Sequence, residues 1–337
     1  MQGIDPDMRI RRIHALLLLL LALVPPVLAH TPLEMEGENH SLETAMEIPN
    51  PTKSWTLYEE LHEAGEAEYF ELHLEPGERL RISLYLPRNE DPGFSPNLVV
   101  MGPGIASMGE VPGFIEVPEG AGVALVESEH PERPEYEPFT PTSYYYIADY
   151  DMEVPIGGHY YFAVYDSDDE GRYGLAIGYK EEFTLVEWVK IPLDVIGIRL
   201  WEGQPLLLYF APVLLALMAG YGLLFWRSCI GLSAFNLASA TAGLLYVGSG
   251  MVILMEMAMS LYGAAYDSLA FLTIVFVLLP VLLGYAVLRK VHRGWVAIST
   301  RDRIVLIALG VLGLFVWAGF LVGPILAVLA GILPSGV

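Results

Sequence analysis

One cysteine, Cys229, occurs in 337 residues, which excludes a disulfide framework and any cysteine-based metal site. Positive charge is scarce: 18 Lys and Arg stand against 40 Asp and Glu, a formal net charge of −22. Nucleic-acid binders carry the opposite sign, so no nucleic-acid partner is expected. Catalytic punctuation is missing too. The nearest approach to GxSxG, Ile105-Ala106-Ser107-Met108-Gly109, lacks the first glycine, and His62-Glu63 is not followed by His at the HExxH spacing. Neither a Walker A nor a GxGxxG segment occurs, so no standard enzyme class is indicated. Finally, Pro205–Trp226, Leu232–Met255, Ser268–Leu288 and Ile304–Ile332 contain no Asp, Glu, Lys or Arg at all.

What is present divides along the chain. Hydrophobic residues make up 54% and the mean hydropathy is +0.46, values of a membrane protein, yet the net charge is that of an acidic soluble one. Residues 30–204 hold 35 acids and nine bases, a net of −26. Residues 205–337 hold three acids (Glu256, Asp267, Asp302) and six bases. An acidic, soluble half is thus joined to an apolar half near Gln204.

The first 29 residues have the grammar of a signal peptide. Arg9, Arg11 and Arg12 precede the apolar run Ala15–Val24, and Val27 and Ala29 stand at −3 and −1 of a cleavage site. Met8 is an alternative start. The run is too short to span about 30 Å of hydrocarbon, so cleavage before His30 and export of the acidic half are expected.

Each of the four uncharged runs is long enough to cross a bilayer, which takes roughly 20 residues; Pro324 marks a kink or an end within the last. Arg227 follows the first run, and Arg289, Lys290, Arg293, Arg301 and Arg303 separate the third from the fourth. The second connection has no base and is bounded by Glu256 and Asp267, read as solvated loop charges. The positive-inside rule makes the first and third connections cytoplasmic, so a multi-pass cell-membrane protein with residue 204 and the C-terminus outside is expected. Residues 181–204 form a juxtamembrane collar in which Trp188 and Trp201 are candidate interface anchors, or alternatively a last strand and linker. Pro192 limits any helix there to short pieces.

Residues 30–180 alternate like strands. Phe70, Leu72 and Leu74 lie on one face of 67–74, with Glu68, Glu71 and His73 read as polar interruptions. Leu80, Ile82, Leu84 and Leu86 alternate in 79–86, and Glu75-Pro76-Gly77-Glu78 predicts a hairpin between the two. Further runs at 54–58, 97–101, 122–127, 143–150, 158–165 and 172–179 complete an all-β, tyrosine-rich, jelly-roll-like sandwich.

Three segments, AEYFELHLEPGERLRISLYLP (67–87), NLVVMGPG (97–104) and GGHYYFAVYDSDDEGRYGLAIGY (157–179), together resemble the pre-peptidase C-terminal (PPC) domain. The matching positions are Glu68-Tyr69, Gly77, Gly158-His159-Tyr160-Tyr161 and Gly171-Arg172-Tyr173-Gly174-Leu175. Glu68 replaces the usual Asp, the acidic pair before the third strand is missing, and no peptidase lies upstream. The resemblance implies a secreted β-sandwich with an accessory or binding role, its ligand an extracytoplasmic protein or glycan, and no catalysis.

Metal and modification candidates remain, each with a plainer reading. Asp166, Asp168, Asp169 and Glu170 offer clustered oxygen ligands for Ca²⁺, but the twelfth position of an EF-hand would fall on Ile177, and an acidic hairpin turn explains the cluster equally. His30, as a mature N-terminus, would suit Cu(II), with His40 nearest in sequence; His62, His73, His130 and His159 are scattered. Met251 and Met255, followed by Met257 and Met259, resemble the MxxxM pair of Ctr-type copper transporters, although methionine also packs apolar interiors. That family's glycine packing motif is lacking in the third run, which has only Gly284. Asn39-His40-Ser41 is a glycosylation acceptor, and Cys229 a candidate for acylation. Gly319 and Gly323, with Gly310 and Gly313, indicate close helix packing within the bundle or between copies of a homo-oligomer.

Overall fold

The structure, a computed structural model, describes residues 30–34, 37–227, 233–265, 269–291 and 298–333. The signal-like segment, Cys229, Asp267 and Arg293 lie outside the described residues.

Residues 31–177 form two mixed sheets. Strands β1 (Thr31–Pro32), β3 (Trp55–Leu61), β11 (Gly171–Ile177), β5 (Arg79–Pro87), β9 (Thr142–Glu153) and β8 (Glu135–Glu137) make the first, in that order. The second runs β2 (Met46–Glu47), β4 (Ala67–Leu74), β10 (Gly158–Tyr165), β6 (Asn97–Gly102) and β7 (Gly122–Val126). Pairing is antiparallel except at the edge pairs β1–β3 and β2–β4. Leu57, Phe70, Leu72, Ile82, Leu84, Phe162 and Leu175 close the core between the sheets.

Two expected hairpins are not hairpins. β4 and β5 belong to opposite sheets, as do β10 and β11, so 75–78 and 166–170 carry the chain across the sandwich. The physical reason is that Phe70, Leu72 and Leu74 on one strand and Leu80, Ile82 and Leu84 on the next fill the same core from its two sides. Gly77 turns the first corner in the left-handed region, at φ 86°. Glu68 is corrected as well. It shares the parity of Phe70, is 2% exposed, and accepts a short hydrogen bond from Tyr173. Glu59 lies on β3 directly opposite Tyr173. Burial, then mutual repulsion, pushes Glu59 up to about 8; burial, against the Tyr173 hydrogen bond, pushes Glu68 up to about 7.

Residues 185–201 form one helix, α1 (Leu185–Trp201), not short pieces. Thr184 and Glu187 close a capping box, and Glu187 also meets Lys53 at 2.7 Å. Pro192 cannot bond the carbonyl of Trp188 one turn back. The Trp317 indole donates to that oxygen instead, at 2.9 Å, so the proline is tolerated.

The bundle contains α2 (Leu206–Trp226), α3 (Ala234–Leu261), α4 (Ala270–Leu288), α5 (Thr300–Phe315) and α6 (Val322–Ile332). Three of these, α2 to α4, are long and apolar enough to cross a membrane. On α2, Leu207, Leu215, Met218 and Trp226 are exposed, a surface suited to lipid rather than water. The fourth uncharged run is not a single crossing. It breaks at 316–321 and doubles back, so that Arg303 Nη1 lies 3.2 Å from the Gly331 carbonyl and a Cβ on Gly310 would meet Val328. Leu333 therefore ends beside the start of α5, not opposite it. Tyr246, fully buried on α3, fills the hollow left by Gly313, Gly319 and Gly323. The glycine motif packs inside the chain.

Candidate binding site at the joint of sheet and bundle

Helix α3 has 28 residues, about 42 Å at 1.5 Å per residue, against roughly 30 Å of hydrocarbon. Its last turns project beyond the bundle into the β-sandwich. Ser260 Oγ donates to the Pro141 carbonyl at 2.9 Å, and Arg88 Nη1 donates to the Met259 carbonyl at 2.6 Å. From β8, Tyr136 meets Thr273 of α4 at 2.8 Å. Trp201 donates to the Glu59 carbonyl at 3.0 Å, and its ring stands edge-on to Tyr58 at 4.9 Å. Neither tryptophan of the collar simply floats at the headgroups: Trp188 packs tilted against Trp317, their ring centroids 4.5 Å apart, and Trp201 turns to the sheet.

The outer face of the first sheet explains the tyrosine richness. Tyr58, Tyr85 and Tyr144 alternate out of the core and gather around Trp201. Gly174 makes room for the Tyr85 ring, since a Cβ there would lie 2.2 Å from it. Thr56 and Tyr85 share a hydrogen bond of 2.6 Å. Burial, then Glu202, raises the Tyr144 hydroxyl and keeps it a donor.

Beneath these rings lies a buried ionic cluster. Arg199, 2% exposed, places Nη1 2.7 Å from Glu202 and 3.7 Å from Glu256. Its Nη2 donates to the carbonyls of Thr140 and Pro141. Glu202 accepts from Thr142 at 2.6 Å and Tyr144 at 3.0 Å, and Gln204 donates to Glu256 at 2.8 Å. Burial works against the guanidinium charge, but Glu202 and Glu256 raise the Arg199 pKa above its ordinary value. Glu256 is thus no solvated loop charge: it lies five residues inside α3, 3% exposed.

Between sheet, α1 and bundle is a cavity of about 160 Å³. Tyr58, Tyr85, Tyr144, Tyr209, Trp188 and Trp317 contribute rings, and Glu137, Asp194, Arg199 and Glu256 contribute charge. Trp317 and Phe320, in its wall, have φ of 52° and 58°. Left-handed backbone is costly for bulky residues and persists where surroundings enforce it.

The metal candidates do not come together. His30 lines the cavity, its Nδ1 2.5 Å from Ser54 Oγ, whereas His40 meets Glu66 at 3.1 Å. Met251 and Met255 lie one turn apart on α3, half-buried. Asp166 spends its carboxylate on the backbone N–H groups of Ser95, Asp168 and Asp169; Asp168, Asp169 and Glu170 are exposed. Among the described residues no three His, Cys, Asp or Glu side chains are placed to hold a metal ion. His73 and His159, scattered in sequence, are cross-strand partners with rings 5.0 Å apart. Asn39 is 1% exposed, so its amide is closed to a glycosyl donor in the folded chain.

No family model and no curated protein matches the chain.

Proposed function

We propose that this is an exported, membrane-anchored binding protein whose site is the joint cavity. The observation that carries the reading is a half-open cavity between the aromatic face of one sheet and a discontinuous membrane hairpin, with Arg199 and Glu256 of the buried ionic cluster in its wall. Mostly apolar pockets with a few convergent polar groups are the usual form of small-molecule sites. Export is supported by the basic–apolar–small order of residues 9–29, and the outward placement of the ectodomain by the bases that follow α2 and α4. By the same rule Arg301 and Arg303, and with them Leu333, belong to the cytoplasmic side, which revises the expected exterior C-terminus. The PPC-like, jelly-roll reading of the sandwich fits an accessory binding role.

A small ligand is favoured over a large protein or glycan because the sheet faces are largely covered. The joint occupies the outer face of the first sheet, and Ile115, Val111 and Leu42 pack over Tyr69, Val99 and Ala163 on the second.

The test is a thermal-shift screen of small polar and amphiphilic solutes against the full chain in lipid nanodiscs. Ile253 lines the cavity, and Ile253→Trp should fill it. Solutes that raise the Tm of the wild type are expected to leave the variant unmoved. Equal stabilisation of both, or no stabilising solute at all, would contradict the reading.

A further inference from the structure

Helix α1 is apolar on two faces, and the protein covers only one of them. At roughly 100° per residue, its side chains fall into three sectors. Trp188, Ile191, Pro192, Val195, Ile198 and Arg199 make the first and line the cavity. Glu187, Lys190 and Asp194 share the second, in which Glu187 meets Lys53 of the sandwich. Leu185, Val186, Val189, Leu193 and Leu200 make the third, within about 100° of arc and without a charge. Four of these five, Leu185, Val186, Leu193 and Leu200, are between 51% and 69% exposed. Large apolar side chains aligned from the first turn to the last of a 17-residue helix form a contact face, unlike leucines scattered singly over a surface.

We propose that this face rests in the leaflet on the sandwich side of the bilayer, which makes α1 an interfacial helix whose occupant is lipid. The level of the helix carries the assignment. Val195 and Ile196 pack on a cluster formed by Tyr209 and Val213 of α2 with Leu245 and Val252 of α3. Tyr209 and Val213 belong to the first two turns of α2, a helix long and apolar enough to cross a membrane. Near its other end α1 reaches the tip of the hairpin, where Trp188 Nε1 donates to the Phe315 carbonyl at 3.3 Å. A bilayer that covers α2 from its first turns therefore also meets α1.

The lipid-facing surface is continuous across the two helices. Leu200 stands near the end of α1, and Leu206, Leu207 and Leu208, at the start of α2, are exposed as well. Interfacial helices sink an apolar face about 5–10 Å into the boundary of headgroups and acyl chains and keep their charges on the water side. The second sector of α1 supplies those charges. Contact with lipid thus falls to leucines and valines, while both tryptophans of the segment turn inward. Because the first sector lines the cavity, lipid backs one of the cavity's walls. The proposal holds whether or not the cavity is occupied.

The experiment places a nitroxide label, one position at a time, on the full chain carrying Cys229→Ser in phosphatidylcholine liposomes. Labels enter through Leu193→Cys and Leu200→Cys on the apolar sector, Lys190→Cys on the charged one, and Leu215→Cys on α2 as the lipid reference. Val186→Cys serves if the Leu200 variant does not fold. Power saturation compares access of oxygen, which concentrates in hydrocarbon, with access of a water-soluble Ni(II) chelate. Labels at 193 and 200 are expected to favour oxygen as the label at 215 does, at a depth of about 5–10 Å, and the label at 190 to favour the chelate. Labels at 193 and 200 as open to the chelate as that at 190 would place the face in water and overturn the proposal. Shielding of both from oxygen and chelate alike would overturn it in favour of a protein contact, with spin–spin broadening identifying a second copy of the chain.

Discussion

Replacing Arg199 by Leu is expected to destabilise the full chain by about 3–5 kcal/mol, the usual cost of stranding buried charges. The guanidinium is the centre on which Glu202, Glu256 and the carbonyls of Thr140 and Pro141 converge. Its removal leaves two carboxylates, 9% and 3% exposed, without a counter-charge. The same physics predicts a rescue. Arg199→Leu combined with Glu202→Gln and Glu256→Gln removes every formal charge of the cluster and should recover most of the loss, because neutral replacement of a buried ion cluster is often close to neutral in stability. Thermal unfolding in nanodiscs at neutral pH measures both. If the triple variant were no more stable than Arg199→Leu, the cluster would be acting through packing alone.

Tyr246→Ala is expected to cost a comparable amount, about 3–5 kcal/mol, as for other large buried aromatics. The ring is fully buried, and its hydroxyl donates to the Leu309 carbonyl at 3.2 Å. Three glycines surround it, and a Cβ on any of Gly313, Gly319 or Gly323 would come within 2.7 Å of the ring. Glycines have no side chain with which to collapse into the space left behind, so the cavity term should persist. Unfolding monitored by circular dichroism in detergent checks the value; a loss below about 1 kcal/mol would mean that α5 and α6 close over the gap.

Most of the architecture is legible in the sequence because it rests on periodicity. Strands 67–74, 79–87 and 158–165 and the long helices of 206–288 carry apolar positions at the spacing that burial requires. Pairing is less legible. Alternation states which residues face a core, but not whether consecutive strands share a sheet or face each other across it, and so the turn at 75–78 reads as a hairpin. Glu68 reads as a polar interruption although its even parity with Phe70 places it inside. Pro192 argues against a helix that Thr184 and Glu187 cap, because the group replacing the lost backbone bond, the Trp317 indole, is 125 residues away in sequence.

The candidate site is hardest to see. Arg199, Glu202 and Glu256 are ordinary charges in sequence, and only their convergence at the joint makes them a cluster. A signal exists in Glu256, which directly follows an uncharged run of 24 residues and continues its helix. Outward-facing Tyr58, Tyr85, Tyr144 and Tyr146 are a second, since a solvated sheet face has no need of four tyrosines. Methionines and histidines draw attention by their chemistry, yet the metal-ligating types do not converge in threes among the described residues.

Docking of the β-sandwich on the bundle, which forms the cavity, is tested most directly by amide hydrogen exchange of the full chain in nanodiscs. The turn 138–141 joins β8 to β9 and is held against the bundle, where Thr273, Ser260 and Arg199 donate to the carbonyls of Pro138, Pro141 and Thr140; its two amides, Phe139 and Thr140, are shielded from water only while sheet and bundle stay docked. Exchange there is predicted to be slow, comparable with the central strand β11, and to quicken in Arg199→Leu. Exchange as fast as that of an exposed loop such as 117–121, in the wild-type chain, would show that sheet and bundle are not joined and that the cavity does not exist as a site.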